Sequence, residues 1–148
     1  MRDTGEVDLS FQKQIIDVIV IKKKNKLNWD DVDPSLYEGF ENLNTWNLLS
    51  FKSHNEICNR RTVGELIGHL VNFRKNQKIK IEDDNKINLY LITHHKPVKL
   101  FKEIEDSKFF RCVKPDFIYD QTFLEPIRYI ITRTVDHPIL GLFSNKKE

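Results

Sequence analysis

The spacing of apolar residues changes along the chain, and the changes divide it into elements. "QIIDVIVIKKKN", residues 14–25, is a short run rich in β-branched residues and closed by lysines, which predicts a strand buried on both faces. By the two-residue period of a strand, Ile15, Asp17, Ile19 and Ile21 share one side, and Ile16, Val18 and Val20 share the other. "KLNWDDVDPSLYEGFENLN" mixes Asp, Pro, Gly and Asn with scattered aromatics and reads as a loop. "TWNLLSFKS" is the second strong strand. It carries Lys52 on the same side as Ser50, inside a run of Leu48, Leu49 and Phe51.

In "RRTVGELIGHLVNFRKN" the period lengthens. Val63, Leu66, Ile67 and Leu70 fall at i, i+3, i+4 and i+7, one face of a helix. Thr62 and Glu65 have the spacing of a capping box, which predicts a helix start at Thr62. Gly64 and Gly68 lower helix propensity and are expected where the helix lies close to a sheet. "INLYLITHH" follows as a third strand, "VKLFKEIEDS" as a short helix, and "KFFRCV" and "PIRYIITRTV" as further strands. A crossover helix between strands makes them parallel neighbours, so the expectation is a mixed α/β domain with a mixed central sheet flanked by helices. At 148 residues the chain reads as a single domain, with a core at about residues 8–135 and a C-terminal extension over 136–148.

Composition narrows the function classes. Lys and Arg number 24 against 22 Asp and Glu, so the net charge of +2 does not announce a nucleic-acid binder, and any basic patch must come from local clustering. The basic runs are "KKKNK" at 22–26, Arg60 with Arg61, and Arg74, Lys75, Lys78 and Lys80. Cys58 and Cys112 form neither a disulfide framework nor a metal-ligand spacing, which suggests a reducing compartment. No stretch approaches the roughly 18 apolar residues of a membrane span, and "MRDTGEVDLSF" lacks a signal-peptide core, so the expectation is a cytoplasmic protein without a membrane partner. The adjacent His94 and His95 on a strand would point to opposite faces and would not share a metal. The Gly-rich phosphate-loop pattern GxGxxG is absent.

Two apolar strands thus each hold one ionisable residue, Asp17 and Lys52. A carboxylate can hold a hard cation, and a nearby lysine can orient a water or neutralise a phosphate, which is the outline of a phosphodiesterase site. A buried ion pair with no catalytic task, or a lysine that snorkels from a strand end, is the structural alternative.

The order of parts resembles the PD-(D/E)XK nuclease superfamily, and within it the Rpn-type nucleases and their transposase-related relatives. The family pattern is an Asp in an apolar strand, a loop, a strand reading Glu-x-Lys, and an amphipathic helix. "IIDVIVI" is similar to the first, "FENLNTWNLLSFKS" to the loop and second strand, and "VGELIGHLVNFRKN" to the helix, with "INLYLITHHKP" and "DHPILGLFS" weaker matches beyond. The resemblance implies a restriction-endonuclease-like fold and Mg²⁺- or Mn²⁺-dependent hydrolysis of DNA by an endodeoxyribonuclease. Asp17 and the Phe51 backbone carbonyl would hold the metal, and Lys52 would position the water. His69, Arg74, Arg60 and Arg61 would reach DNA phosphates.

One position departs from the pattern. Ser50 stands where the family has Glu, which removes a negative charge from the cation's surroundings, so the metal is expected to bind weakly or not at all and cleavage to be attenuated or lost. Glu65, Glu56, Glu38 or Glu41 could supply a substitute acid, although the helical angle of Glu65 turns it toward solvent. The rival expectation is a non-catalytic DNA- or protein-binding module that retains the nuclease fold.

Overall fold

The computed structural model describes residues 3–4, 7–11, 18–23, 38–123 and 125–133. Eight strands form one mixed sheet: β1 (Asp3–Thr4), β2 (Val7–Phe11), β3 (Val18–Lys23), β4 (Trp46–Lys52), β5 (Ile87–Thr93), β6 (Phe110–Lys114), β7 (Ile118–Gln121) and β8 (Ile127–Ile131). Their order across the sheet is β1-β2-β3-β4-β5-β8-β7-β6. The first four run antiparallel, β4, β5 and β8 are mutually parallel, and β8, β7 and β6 alternate again. Helix α1 (Arg60–Asn76) makes the crossover from β4 to β5, and helix α2 (Val98–Ile104) follows β5. The expected mixed α/β architecture is therefore the observed one, including the parallel β4–β5 pair.

Both faces of the central strands β3, β4, β5 and β8 are buried, as their largely apolar runs predict. On one face, Val18, Val20, Leu48, Leu89, Leu91 and Tyr129 pack with Val63, Leu66 and Leu70 of α1 and with Leu100 and Phe101 of α2. The Phe101 ring lies 4.8 Å from Tyr119 and 5.1 Å from Tyr129, which fixes α2 over the β7–β8 side. On the other face, Ile19, Ile21, Leu49, Phe51, Tyr90, Ile92 and Ile130 are covered by Phe40 and Leu43 from the turn before β4, and by Phe117. Gly39 in that turn has φ +91, and a methyl group added there would come within 2.9 Å of the Ile130 side chain, so glycine is required on both counts.

The start of α1 corrects the sequence expectation. The N-cap is Asn59, whose side chain accepts from the Thr62 N–H at 3.2 Å while the Thr62 hydroxyl accepts from the Asn59 N–H at 3.1 Å. Thr62 therefore occupies the third helical position of a capping box instead of opening one, because Asn59 already has the extended backbone and the short acceptor a cap needs. Glu65 is released from any capping role. Thr62, Val63, Leu66 and Leu70 are buried, with Ile67 half-buried beside them. Gly64 and Gly68 do not mark a close approach to the sheet: an added methyl would meet nothing within 4 Å at either.

Three elements had no clear sequence signal. β1 and β2 lie in a polar, mixed stretch, and β7 is four residues long. A 3₁₀ helix at Ile81–Lys86 precedes β5. Asp17 and the segment 134–148 lie outside the described residues.

Candidate functional site

The site is built at the carboxyl end of β4. Alternation along the strand sends Leu49 and Phe51 into the core on the far side and turns Leu48, Ser50 and Lys52 toward α1. Ser50 is buried and Lys52 half-buried. The strand end is fixed by its backbone: the His94 N–H donates to the Lys52 carbonyl at 3.0 Å, and the Glu56 carboxylate accepts from the Ser53 N–H at 2.9 Å to close the next turn.

From α1, the polar residues beside the buried stripe meet these side chains. Glu65, His69 and Asn72 follow one another at i, i+4 and i+7, and together with Ser50, Lys52 and Thr62 they line a cavity of about 350 Å³. Glu65 is exposed, as its helical angle suggested, but it opens into this cavity. It is the one of the four substitute acids that lines it. Glu56 is committed to the turn after β4, Glu38 pairs with Lys114, and Glu41 pairs with Arg128 on the other side of the sheet.

The basic candidates separate. His69 joins Lys52 in the cavity. Arg61 is exposed one helical turn before Glu65, on the same side of α1. Arg60 instead faces α2, 3.4 Å from Glu103. Arg74 is held at 3.2 Å by Asp84 and at 3.4 Å by Glu125, so it is not available to a phosphate beside Lys52. His94 and His95 follow β5 instead of belonging to it, so strand alternation does not separate them; their rings are 4.8 Å apart. His95 Nε2 lies 3.1 Å from the His54 carbonyl.

Among the described residues no group of three or more His, Cys, Asp or Glu side chains could hold a metal ion. The oxygen donors lining the cavity, Ser50, Thr62, Glu65 and Asn72, are of the type a hard cation takes, but Glu65 is the one carboxylate among them. Asp17, expected to supply another, is outside the described residues. The β3 residues that share the Lys52 side are Val18 and Val20, whereas Ile19 and Ile21, which the two-residue period groups with Asp17, lie on the opposite face. Burial pushes the Cys58 thiol up to about 12, against a smaller opposing effect of the Lys52 charge, which disfavours its thiolate form. Cys58 and Cys112 are both free thiols.

Comparison with protein-family models, with curated proteins and with solved structures finds no match to this chain. No helix among the described residues is long and apolar enough to cross a membrane.

Proposed function

We propose that the Ser50–Lys52–Glu65 cavity is a phosphodiester site of the PD-(D/E)XK type and that the protein is a metal-dependent DNA hydrolase with a weakened metal site. The observation that carries the reading is the cavity itself: one crossover, β4–α1–β5, brings Lys52, a carboxylate and a histidine around a single space beside Ser50. In this reading Glu65 takes the place of the acid that Ser50 lacks. Lys52 neutralises charge on the phosphate or orients the attacking water, and His69 contacts a phosphate oxygen. Mg²⁺ or Mn²⁺ would supply Lewis acidity, with Glu65, the Phe51 carbonyl and Asp17 as its holders.

A second reading is favoured by one observation. Ile19 and Ile21, the pattern-mates of Asp17, face away from Lys52. A cavity with Glu65 as its only carboxylate among the described residues binds a phosphate backbone more readily than it holds a cation, which is the non-catalytic module.

Plasmid nicking with Mn²⁺ separates the two. The hydrolase reading expects slow nicking by the natural chain, loss on Lys52→Met or Glu65→Gln, and faster nicking on Ser50→Glu, which adds a carboxylate on the Lys52 side. Nicking that survives both Lys52→Met and Glu65→Gln places the chemistry elsewhere. DNA binding with no nicking by any variant, Ser50→Glu included, establishes the non-catalytic module.

A further inference from the structure

A separate cavity lies at the end of the sheet opposite Lys52, and the strand lengths account for it. β8 enters at Ile127, which pairs with Leu89 of β5 on one side and with Gln121 of β7 on the other. β5 begins earlier, at Ile87, and the residue before β8 is Pro126, which has no N–H to extend the ladder. The sheet therefore parts beyond Ile127, and a cavity of about 380 Å³ opens between Asn88 of β5 and Gln121 of β7.

Positive charge collects there. Phe110 packs against the core, 4.9 Å from the Phe101 ring, so alternation turns Arg111 to the other face of β6. Its register partner Asp120 meets it there at 3.1 Å. Asp120 also takes two bonds from Arg128, which serves Glu41 and the Gly39 carbonyl as well. The carboxylates are thus answered within the fold, while two cations lining the cavity keep donors in hand. Among the described residues Arg111 uses only Nη2, which leaves Nε and Nη1. Lys108 has no carboxylate partner among them, and its ammonium lies 5.4 Å from the centre of the Phe109 ring.

The surface beside these cations is aromatic. Phe109 lines the cavity and is 41% exposed, and its ring is 5.9 Å from that of Phe123, which is 52% exposed. Single exposed apolar side chains are ordinary. Two in contact beside a cation-lined cavity offer a face on which a flat ring stacks.

Volume, charge and surface together define the ligand. The cavity lies at the lower end of the roughly 300–1,000 Å³ of small-molecule sites, which suits one nucleotide and not a strand. Two guanidinium nitrogens and an ammonium match the three terminal oxygens of a phosphate monoester better than the two of a carboxylate. We propose that this cavity binds a phosphate monoester carrying a planar ring, a ligand of the mononucleotide class. The proposal does not depend on the reading of the Lys52 cavity.

The test is calorimetric titration of the full chain in EDTA with adenosine 5′-monophosphate, adenosine and inorganic phosphate. The monophosphate is expected to bind with a Kd below about 1 mM. Adenosine and phosphate should each bind at least about tenfold more weakly, since neither engages both the cations and the rings. Arg111→Met and Lys108→Met are each expected to weaken the monophosphate roughly three- to tenfold, a modest factor because both side chains are exposed. Asp120 keeps Arg128 in the first variant and the second breaks no ion pair, so both should fold, which thermal melts check. Lys52→Met should leave the affinity unchanged. Phosphate binding as tightly as the monophosphate, no binding up to about 10 mM, or unchanged affinity in both cation variants overturns the proposal. Loss of binding in Lys52→Met also overturns it, by moving the nucleotide to the other cavity. Nucleotide binding that responds to Arg111→Met in a chain without nicking sustains this site while the hydrolase reading fails. Lys52-dependent nicking without nucleotide binding does the reverse.

Discussion

Replacing Arg128 with methionine removes a side chain that makes four hydrogen bonds. Arg128 sits in β8 with its side chain 9% exposed. It donates to Asp120 through Nε at 2.8 Å and through a terminal nitrogen at 2.9 Å, and to Glu41 at 2.6 Å and the Gly39 carbonyl at 3.2 Å through the other. Methionine keeps much of the volume and makes none of these bonds. Removing one partner of a buried charge pair costs about 3–5 kcal/mol. Two facts place this case at the lower end: Asp120 keeps Arg111 at 3.1 Å, and Glu41 is half exposed and keeps the Gly39 N–H. The expected loss is about 3 kcal/mol, which with a urea slope of about 2 kcal/mol/M lowers the unfolding midpoint by about 1.5 M at pH 7.

The pH dependence provides an internal control. Burial alone would raise both carboxyls, but the Arg128 hydrogen bonds and charge, with Arg111 added at Asp120, hold Asp120 below its ordinary 3.8 and Glu41 below its ordinary 4.5. Depressed carboxyls stabilise the fold above their unfolded values and lose that contribution as pH falls through the native ones. The midpoint difference between natural and Arg128→Met chains should therefore be full above about pH 5 and shrink below about pH 4. A midpoint shift under about 0.5 M at pH 7, or one that does not shrink in acid, would refute the assignment of Arg128 as the charge that holds the Gly39–Glu41 turn to the sheet.

Leu66→Ala, at a side chain 1% exposed between α1 and the sheet, should cost about 2–5 kcal/mol in the same urea assay, and a loss below about 0.5 kcal/mol would remove it from the core. Glycine-to-alanine changes should take opposite signs at two positions. Gly64→Ala is expected to stabilise by about 0.5–1 kcal/mol, since the methyl meets open space in a helix interior. Gly39→Ala should destabilise by at least about 1 kcal/mol through its positive φ and the contact with Ile130, and equal melting temperatures for the two variants would contradict this account.

The core of the fold was legible because Val18–Ile21 and Leu89–Ile92 are unbroken apolar runs and Leu48–Phe51 is broken only by Ser50, and such runs have few alternatives to a strand covered on both faces. The parallel β4–β5 pair followed from the helix between them. The helix start was misplaced because Thr62 and Glu65 match the capping spacing by composition alone, while the deciding hydrogen bonds belong to Asn59. β7 was missed because Ile118–Gln121 is too short to show a period, and its pairing depends on partners on both sides. At the candidate site, Ser50, Lys52 and His69 were identified by residue type. Asn72 was not, although its place seven residues after Glu65 puts it on the same polar stripe of α1. The separation of Arg74 from that stripe follows from the helical period, since nine residues after Glu65 it lies on the opposite side of α1, where Asp84 and Glu125 hold it.

The sheet order has a further consequence for how the chain reaches this structure. β2, β3 and β4 form from neighbouring segments, and so do β6, β7 and β8, so each antiparallel half can assemble through local closures. β5 has no hairpin partner. It must be inserted between β4, reached across α1, and β8, reached across α2 and two strands. Both closures give up chain entropy before any ladder bond returns it, so β5 is expected to be seated after the two antiparallel halves have formed. The same strand, by joining the halves, makes their unfolding one cooperative process.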